Sequence, residues 1–306
     1  MSQELMNTKE LARYLEIHEK QVYALVKAGR IPATRVTGKW IFPRKLIDEW
    51  LESTAAAVVQ QARDKRSQVQ GALLAAGSND PILDMLLASM KTSHPDFYIF
   101  SAVTGSTEGL RLLRKGLTDV AWCHLFDPDT GRYNTEQVLS SHLPNVRSVV
   151  VHVFNRELGL IVGRDNSKNI REIRDIAQSG VTIVNRQAGS GTRLLIDNCL
   201  NKSGILPEQV TGYENEVFTH FEVGLAVLSG EADAGVATIA VAKILGLSFI
   251  PLILESFDMI LGQNTFFERG VQAFIDGLQH REFRHKVENI YSYDFTNAGK
   301  VLSASC

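Results

Sequence analysis

The segment with the clearest chemical potential covers residues 189–193, where the sequence reads Gly-Ser-Gly-Thr-Arg. The hydroxyl groups of Ser190 and Thr192 can donate hydrogen bonds, and Gly191 lets a ligand approach the backbone closely. Arg193 adds a permanent cation. Such a set of donors suits a small anion. A simpler alternative is that Ser190 or Thr192 only caps a helix, as most residues of these types do at such positions.

The elements on either side of this segment favour the anion interpretation. Residues 182–184 are all β-branched and predict a buried strand, and residues 193–200 carry the apolar spacing of an amphipathic helix. The first N–H groups of a helix lack intrahelical partners, and the helix dipole places partial positive charge there. A strand, a glycine-rich turn and a helix start therefore predict an anion site.

Composition limits the class of protein. A chain of 306 residues that is 44 % hydrophobic can bury a large core and form two or three domains. It contains neither an apolar run long enough for a membrane span nor a signal-peptide pattern, so we expect a cytoplasmic protein with no membrane partner. The three cysteines form no CxxC pair, and no catalytic motif is legible, so we expect no metal site, no cofactor and no enzymatic activity.

Charge is spread unevenly along the chain. Residues 1–66 hold 12 basic and 8 acidic residues, a net charge of +4, whereas the remainder holds 20 basic and 26 acidic residues, a net charge of −6. A basic N-terminal part on an acidic body suggests that the N-terminal part meets a polyanion.

Residues 6–51 predict two helices followed by a β-hairpin. The first helix starts at Asn7-Thr8, the second ends at Gly29, and two short strands flank residues 37–39. This order is typical of a winged helix-turn-helix, whose second helix enters the major groove of DNA. The residues predicted to face DNA, on the second helix, the turn and the wing, are Lys20, Gln21, Tyr23, Lys27, Arg30, Arg35 and Lys39.

The chemistry of these residues fits DNA, because glutamine can read adenine edges and lysine, arginine and tyrosine suit phosphates. The segment resembles the MerR/excisionase family of small winged helix-turn-helix domains. The strings that carry the resemblance are Thr8 to Ala12, Gln21 to Tyr23, Gly29 to Ala33 and Gly38 to Trp40. The resemblance implies double-stranded DNA as a partner. The alternative is a small helical protein-interaction domain.

The expected domains are a DNA-binding domain over residues 1–53, a helical linker over residues 54–70 and a ligand-binding domain over residues 71–306. Residues 52–70 lack glycine and proline, which favours a helix. Apolar residues here alternate at four- and three-residue spacings, which suits a two-stranded helical seam and predicts a homodimer. An amphipathic helix that lies on the body explains the pattern equally well.

From residue 69 onward strands and helices alternate, which is typical of a doubly wound α/β fold. In such sheets ligands bind at the carboxyl ends of strands, so the polar loops at these ends predict one shared cleft. Arg193 either contacts the ligand or braces its loop, and His124 and His220 either contact the ligand or are structural. The predicted ligand contacts are Ser78, Gly105, Ser106, His124, Ser190, Gly191, Thr192, Arg193 and Thr219.

Residues 71–265 resemble the periplasmic-binding-protein-like domain that is fused to DNA-binding heads in bacterial regulators and is related to molybdate- and tungstate-binding proteins. The resemblance implies a type II domain with two lobes that enclose the ligand, a second lobe over about residues 155–240, and crossings near Val151–Asn155 and Thr238–Val241. The strings that carry it are residues 123–131, 133–134, 156–160, 185–187, 189–193, 219–220 and 230–235.

Together these features predict an α/β, ligand-responsive, DNA-binding transcriptional regulator. The resemblance implies molybdate or tungstate as the small anionic effector. Two alternatives stay open: an excisionase-like recombination accessory protein, and a regulator that senses a small organic ligand. A body of more than 200 residues with its own cleft counts against the first, since a DNA-bending accessory needs no ligand chamber.

Overall fold

The computed structural model describes residues 5–36, 38–51 and 72–304. The chain divides into two compact units, Met1–Val69 and Gln70–Cys306. The predicted helical linker over residues 54–70, and with it the predicted seam between two chains, lies outside the described residues.

The N-terminal unit packs its helices against a three-stranded antiparallel sheet with strand order β1-β3-β2. Two helices and a hairpin are present as predicted, whereas β1 was not predicted because three residues are too few to show a pattern. The buried side chains of Leu11, Val22, Phe42 and Ile47 join these elements into one core. The elements are β1 Leu5–Asn7, α1 Thr8–Tyr14, α2 Glu19–Lys27, β2 Thr34–Val36, β3 Lys39–Pro43 and α3 over residues 44–51.

Local sequence explains how the first helix begins. The side chain of Asn7 accepts hydrogen bonds from the N–H groups of Lys9, at 2.9 Å, and Glu10, at 3.0 Å. The carboxylate of Glu10 accepts the N–H of Asn7 in return, at 2.8 Å. This reciprocal pair is a capping box, which satisfies helix donors that would otherwise lack partners.

The second unit is built on a nine-stranded sheet with the order β11-β10-β12-β9-β13-β6-β4-β5, and β14 pairs with β9. The strands of this unit are β4 Ala72–Gly77, β5 Tyr98–Val103, β6 Val120–Cys123, β7 Phe126–Asp127, β8 Arg132–Tyr133, β9 Ser148–Val162, β10 Ile183–Arg186, β11 Glu216–Val217, β12 Ala234–Thr238, β13 Ser248–Gly262 and β14 Val301–Ala304. Of these, β7 and β8 form a separate two-stranded sheet. Its helices are α4 Pro81–Ser93, α5 Ser106–Arg114, α6 Glu136–His142, α7 Gly191–Lys202, α8 His220–Ser229, α9 Ile239–Leu245, α10 Gln263–Phe266, α11 Arg269–Gly277 and α12 Arg281–Tyr291.

The same strand arrangement occurs twice in this sheet, once in each lobe. In lobe 1 the parallel strands β5-β4-β6 place the first strand in the middle, and in lobe 2 the parallel strands β11-β10-β12 do the same. The next two strands therefore add to opposite sides of β4 and of β10, and this reversal of strand order creates the crevice where open α/β sheets bind ligands. The expected doubly wound α/β class is confirmed.

Two strands of 15 residues each, β9 and β13, run antiparallel to one another through both lobes. The sequence shows two apolar runs, at residues 149–154 and 158–162, that suggest two strands, but β9 is one strand that continues through the polar residues between them. The prediction that the chain crosses between the lobes near residues 238–241 is wrong, since Thr238 ends β12 and α9 follows it directly. The second crossing strand is β13, and its later half returns the chain to lobe 1 beside β6.

Each lobe has its own apolar core. Trp122, Phe257 and Phe274 are buried in the core of lobe 1, and Leu160 and Ile183 belong to that of lobe 2. Within the described ranges, no helix is both long and apolar enough to cross a membrane, and no group of three or more metal-ligating side chains occurs.

Candidate ligand site between the two lobes

Helix starts from both lobes meet at the carboxyl ends of the parallel strands. In lobe 1, Asp80 caps α4 after β4 and Gly105 precedes α5 after β5, while Ser190 caps α7 after β10 in lobe 2. The lobes touch here, because the N–H of Thr107 donates to the carbonyl oxygen of Gly189 at 3.3 Å. The loops after β5 and β10, which the sequence predicts to share a cleft, are therefore neighbours.

Lobe 1 contributes a small group of buried polar side chains. The side-chain oxygens of Ser78 and Ser106 lie 2.7 Å apart, and the Ser106 oxygen also accepts the N–H of His124 at 3.2 Å. All three residues are buried. The structure thus brings together three predicted contact residues from the ends of three different strands.

Glycine is required where the lobes approach most closely. A Cβ atom on Gly191 would lie 2.6 Å from the carbonyl oxygen of His124, which is too close for any side chain. Gly105 has a φ of +86°, a conformation that other residues rarely adopt, and a Cβ there would lie 3.4 Å from Nε2 of Gln187. Both glycines allow the first turn of a helix to contact the opposite lobe.

Several buried polar atoms near this junction have no hydrogen-bond partner among the described residues. Four of them can donate from lobe 2: Nη1 of Arg186, Nε2 of Gln187, Oγ1 of Thr192 and Nδ1 of His220. The sequence predicts Thr192 as a ligand contact and leaves open whether His220 contacts the ligand, but it does not indicate Arg186 or Gln187. Nε of Arg186 donates to Oε1 of Gln187 at 3.3 Å, so the amide nitrogen of Gln187 is its unused donor.

The proton of His220 can be assigned from its neighbour. Nη2 of Arg156 lies 3.4 Å from Nε2 of His220, and since arginine can only donate, Nε2 is the acceptor. Burial, together with the charges of Arg186 and Arg156, lowers the pKa of His220 well below its usual value. The ring is therefore neutral, and its Nδ1 carries the proton as an unused donor.

Arg186 is a buried cation whose hydrogen bonds go to uncharged groups. Its side chain donates to the carbonyl oxygen of Phe218 at 2.7 Å and to the amide oxygen of Gln187. Burial and the charge of Arg156 lower the pKa of Arg186 to about 10. The guanidinium stays charged at neutral pH, in surroundings that favour an incoming negative charge.

Arg156, in the crossing strand β9, has carboxylate partners instead. Its Nε donates to Glu255 on β13 at 2.6 Å, and its Nη1 donates to Asp80. Asp80 also accepts the hydroxyl of Tyr293 at 2.7 Å, and Glu255 bonds Nδ1 of His124 at 2.9 Å. Burial alone would raise the pKa of Glu255, but Arg156 and His124 outweigh it and lower this pKa to about 2.

The side chains of Arg193 and Thr219, both predicted ligand contacts, bond groups of their own lobe. Arg193 bonds Asp197 at 3.2 Å and Glu216 at 2.8 Å, and its guanidinium lies 4.0 Å from the ring centre of Tyr213. These contacts favour the bracing role for Arg193 over ligand contact. The hydroxyl of Thr219 accepts the N–H of Glu222 at 3.1 Å, so Thr219 caps α8.

The predicted DNA-facing residues form one exposed set on α2, the turn and the hairpin. Two of them also have local partners. Oε1 of Gln21 accepts the N–H of His18 at 3.0 Å, which leaves its amide N–H groups free for a base edge. Nε of Arg35 donates to the carbonyl of Gly38 at 3.2 Å. The exposed residues are Lys20, Gln21, Tyr23, Lys27, Arg30, Arg35 and Lys39.

The fold and the site define a ligand-binding, DNA-binding regulator, with a helix-turn-helix domain joined to a two-lobed binding domain. Residues 87–279, more than half of the chain, match the PBP superfamily domain, and the chain belongs to this superfamily. Residues 5–55 match a helix-turn-helix domain.

Similar proteins cover most of the chain. The uncharacterized protein YvgK of Bacillus subtilis (strain 168) is 28 % identical over 301 residues, 96 % of each chain. A substrate-binding protein assigned to phosphate ABC transport, from Clostridium perfringens with bound phosphate, has a TM-score of 0.53 at 14 % identity, over 72 % of this chain and 98 % of that one. A Corynebacterium glutamicum OxyR mutant with bound H2O2 has a TM-score of 0.51 at 16 % identity, over 94 % and 90 %. At these identities the two structures show the fold alone.

Proposed function

We propose that this protein is a cytoplasmic transcriptional regulator that senses a small oxyanion, molybdate or tungstate, between the two lobes. One observation carries the proposal: four donors, on Arg186, Gln187, Thr192 and His220, are buried without partners beside the start of α7. An unsatisfied buried donor costs about 1–3 kcal/mol, and more when it is charged, so such a cluster is stabilised by a group that accepts several hydrogen bonds at once.

The chemistry of the cluster favours an anion with several equivalent oxygens. Arg186 supplies charge, the hydrogen-bonded pair of Ser78 and Ser106 leaves one hydroxyl proton to donate, and the N-termini of α5 and α7 supply their dipoles. The C. perfringens relative of the same fold is described with bound phosphate. A tetrahedral oxyanion accepts several hydrogen bonds at once, so it fits this set of donors better than a small organic ligand does.

Coupling between ligand and DNA follows from differential affinity. The donors come from both lobes, so a ligand that contacts all of them binds the closed lobes better than open ones. It therefore shifts the population towards the closed state. A homodimer with two heads would convert this shift into a change in DNA affinity, because one small head contacts too little DNA for strong specificity.

The test of the sensor is calorimetric titration of the full chain with tungstate, molybdate, sulfate, phosphate and a small organic acid. We expect tungstate or molybdate to bind most tightly and to change affinity for operator DNA, measured by fluorescence anisotropy. If only the organic acid binds, the proposed ligand class is wrong and the regulator senses a small organic acid. DNA binding that no ligand alters would favour the excisionase-like alternative.

The DNA-binding part has a separate test. Neutralising Lys27 or Arg30 is expected to weaken binding to all duplexes alike and to lower the salt slope by about one unit per lost phosphate contact. Gln21→Ala is expected to change sequence preference instead. Arg174→Ala, an exposed change in the sensor unit, is the control. Unchanged salt slopes in the Lys27 and Arg30 variants would contradict the assigned DNA face.

A further inference from the structure

Gln21 lies at the place where a recognition helix reads bases. α2 begins at Glu19, so Gln21 is the third residue of the helix, and its side chain is exposed. In helix-turn-helix proteins the N-terminal residues of the second helix contact base edges in the major groove of DNA. Which base Gln21 can read depends on which atoms of its amide are free.

The orientation of this amide is set by a hydrogen bond to the start of its own helix. Oε1 of Gln21 accepts the backbone N–H of His18 at 3.0 Å. A backbone N–H can only donate, so the amide atom that meets it must be the oxygen. Turning the amide over would place Nε2 against that N–H, donor against donor. The hydrogen bond therefore decides the assignment of oxygen and nitrogen in this side chain.

This orientation changes which base fits the side chain. A glutamine reads adenine with both ends of its amide, since the oxygen accepts from N6 and the nitrogen donates to N7. Gln21 uses its oxygen within the protein, and the N–H groups of Nε2 remain. In the major groove guanine presents two acceptors, adenine and thymine present one each, and cytosine presents a donor. Donors without an acceptor thus match guanine best and cytosine worst.

The neighbours of Gln21 on α2 leave it able to reach a base edge. Ala24 follows one turn along the same face and is also exposed. Because its side chain is a single methyl group, it lets this face approach the bases closely. Lys20 and Lys27 are exposed on the same helix and suit phosphate contacts, which hold a helix in the groove without reading sequence.

On the basis of the DNA-binding function proposed above, we propose that Gln21 selects guanine at one base pair of the DNA site. Gln21 is the specificity-determining residue, because its Nε2 donates to the N7 and O6 acceptors of that base. His18 is a positioning residue, because its backbone N–H holds the amide oxygen away from the base. The adenine preference that glutamine ordinarily has is thereby replaced by a preference for guanine.

The first test selects duplexes from a random pool with the full chain and then measures affinity by fluorescence anisotropy for duplexes that differ at single base pairs. The wild type is expected to select guanine at one position and to lose at least about fivefold in affinity when adenine replaces it. Gln21→Ala is expected to lose the preference at that position alone. Gln21→Glu keeps an acceptor for the N–H of His18 but has no donor, so cytosine is expected to replace guanine there.

His18→Pro removes the hydrogen bond that orients the amide and leaves Gln21 unchanged. Proline has no backbone N–H, and the φ of His18, −76°, is one that proline adopts. With its oxygen released, Gln21 can read adenine with both ends of its amide. The selected base is therefore expected to change from guanine to adenine. His18→Ala keeps the N–H and is the matched control, which is expected to keep guanine.

The possible results separate this proposal from the function on which it rests. A wild-type chain that binds no duplex contradicts the DNA-binding function itself. Specific binding that Gln21→Ala relaxes at no position, adenine at the position that it does relax, or guanine retained by a folded His18→Pro chain overturns the role of Gln21 and leaves DNA binding in place. If circular dichroism shows that the His18→Pro chain is unfolded, the result for Gln21→Glu decides, and guanine retained there overturns the proposal.

Discussion

Arg156 and Arg186 are both almost fully buried beside the same cleft, yet their surroundings differ. Arg156 lies between the carboxylates of Asp80 and Glu255, which raise its pKa although burial alone would lower it. Arg186 bonds only neutral groups, keeps one donor unpaired and has a lowered pKa. Burial alone thus does not tell a structural arginine from a ligand-binding one. The two arginines differ in whether the fold supplies a charged partner, and on that ground we propose Arg186, and not Arg156, as the ligand-binding arginine.

The largest expected effect is the loss of Arg156. Arg156→Met leaves Asp80 and Glu255 as buried carboxylates without their cation, which typically costs about 3–5 kcal/mol. Urea denaturation of the full chain at neutral pH, followed by near-UV circular dichroism, measures the stability of the sensor unit. Arg164→Met, an exposed change, is the control. A loss below about 1 kcal/mol would show that the ion network does not hold the crossing strands.

The opposite outcome is expected for Arg186. Arg186→Met removes a buried cation without a charged partner, so the ligand-free protein keeps its stability or gains some. Oxyanion affinity falls by about 1.5–3 kcal/mol, or roughly ten- to hundredfold, because a charged hydrogen-bond donor is lost. Arg193→Ala is the comparison, since loss of its bracing contacts lowers stability and leaves affinity in place. If the Arg186 variant is as unstable as the Arg156 variant, Arg186 is a structural residue like Arg156.

His220 and Glu255 are expected to affect stability in different pH ranges. Burial lowers the pKa of His220 from 6.5, so its contribution to stability is complete above about pH 6.5 and is lost as pH falls. Glu255 has a pKa of about 2 against a usual 4.5, so its contribution to the free energy of unfolding is lost as pH falls from about 4.5 to 2. His220→Asn should flatten the slope just below pH 6.5 by up to about 1.4 kcal/mol per pH unit. Equal slopes in the wild type and the His220 variant would contradict this assignment.

The smallest effects concern the two hydroxyls at the start of α7. Oγ1 of Thr192 is buried and unpaired, so Thr192→Val should weaken oxyanion binding by about 0.5–1.5 kcal/mol with no loss of ligand-free stability. Ser190 caps α7 by accepting the N–H of Arg193 at 3.1 Å. Ser190→Ala should therefore cost about 1 kcal/mol of stability. Thermal unfolding and calorimetric titration of both variants measure the difference, and identical behaviour would show that the two hydroxyls share one role.

Features with a local signal could be predicted from the sequence alone. The cap at Asn7, the wing hairpin, the alternation of strands and helices and the turn before α7 depend on neighbouring residues, and all are present in the structure. The candidate contacts at Ser78, Ser106 and Ser190 could also be predicted from the sequence, because polar residues at the ends of parallel strands meet at one edge of a sheet.

What the tertiary structure decided depends on contacts between distant parts of the chain. The run over residues 155–157 resembles a polar turn in sequence, but Glu255, which lies 99 residues from Arg156, lets β9 continue through it as a buried strand. Arg186 carries no sequence signal that separates it from Arg156 or Arg193. Only the fold shows that Arg156 and Arg193 find carboxylates and that Arg186 does not, because the partners of a buried charge are set by packing and not by the residues beside it in sequence.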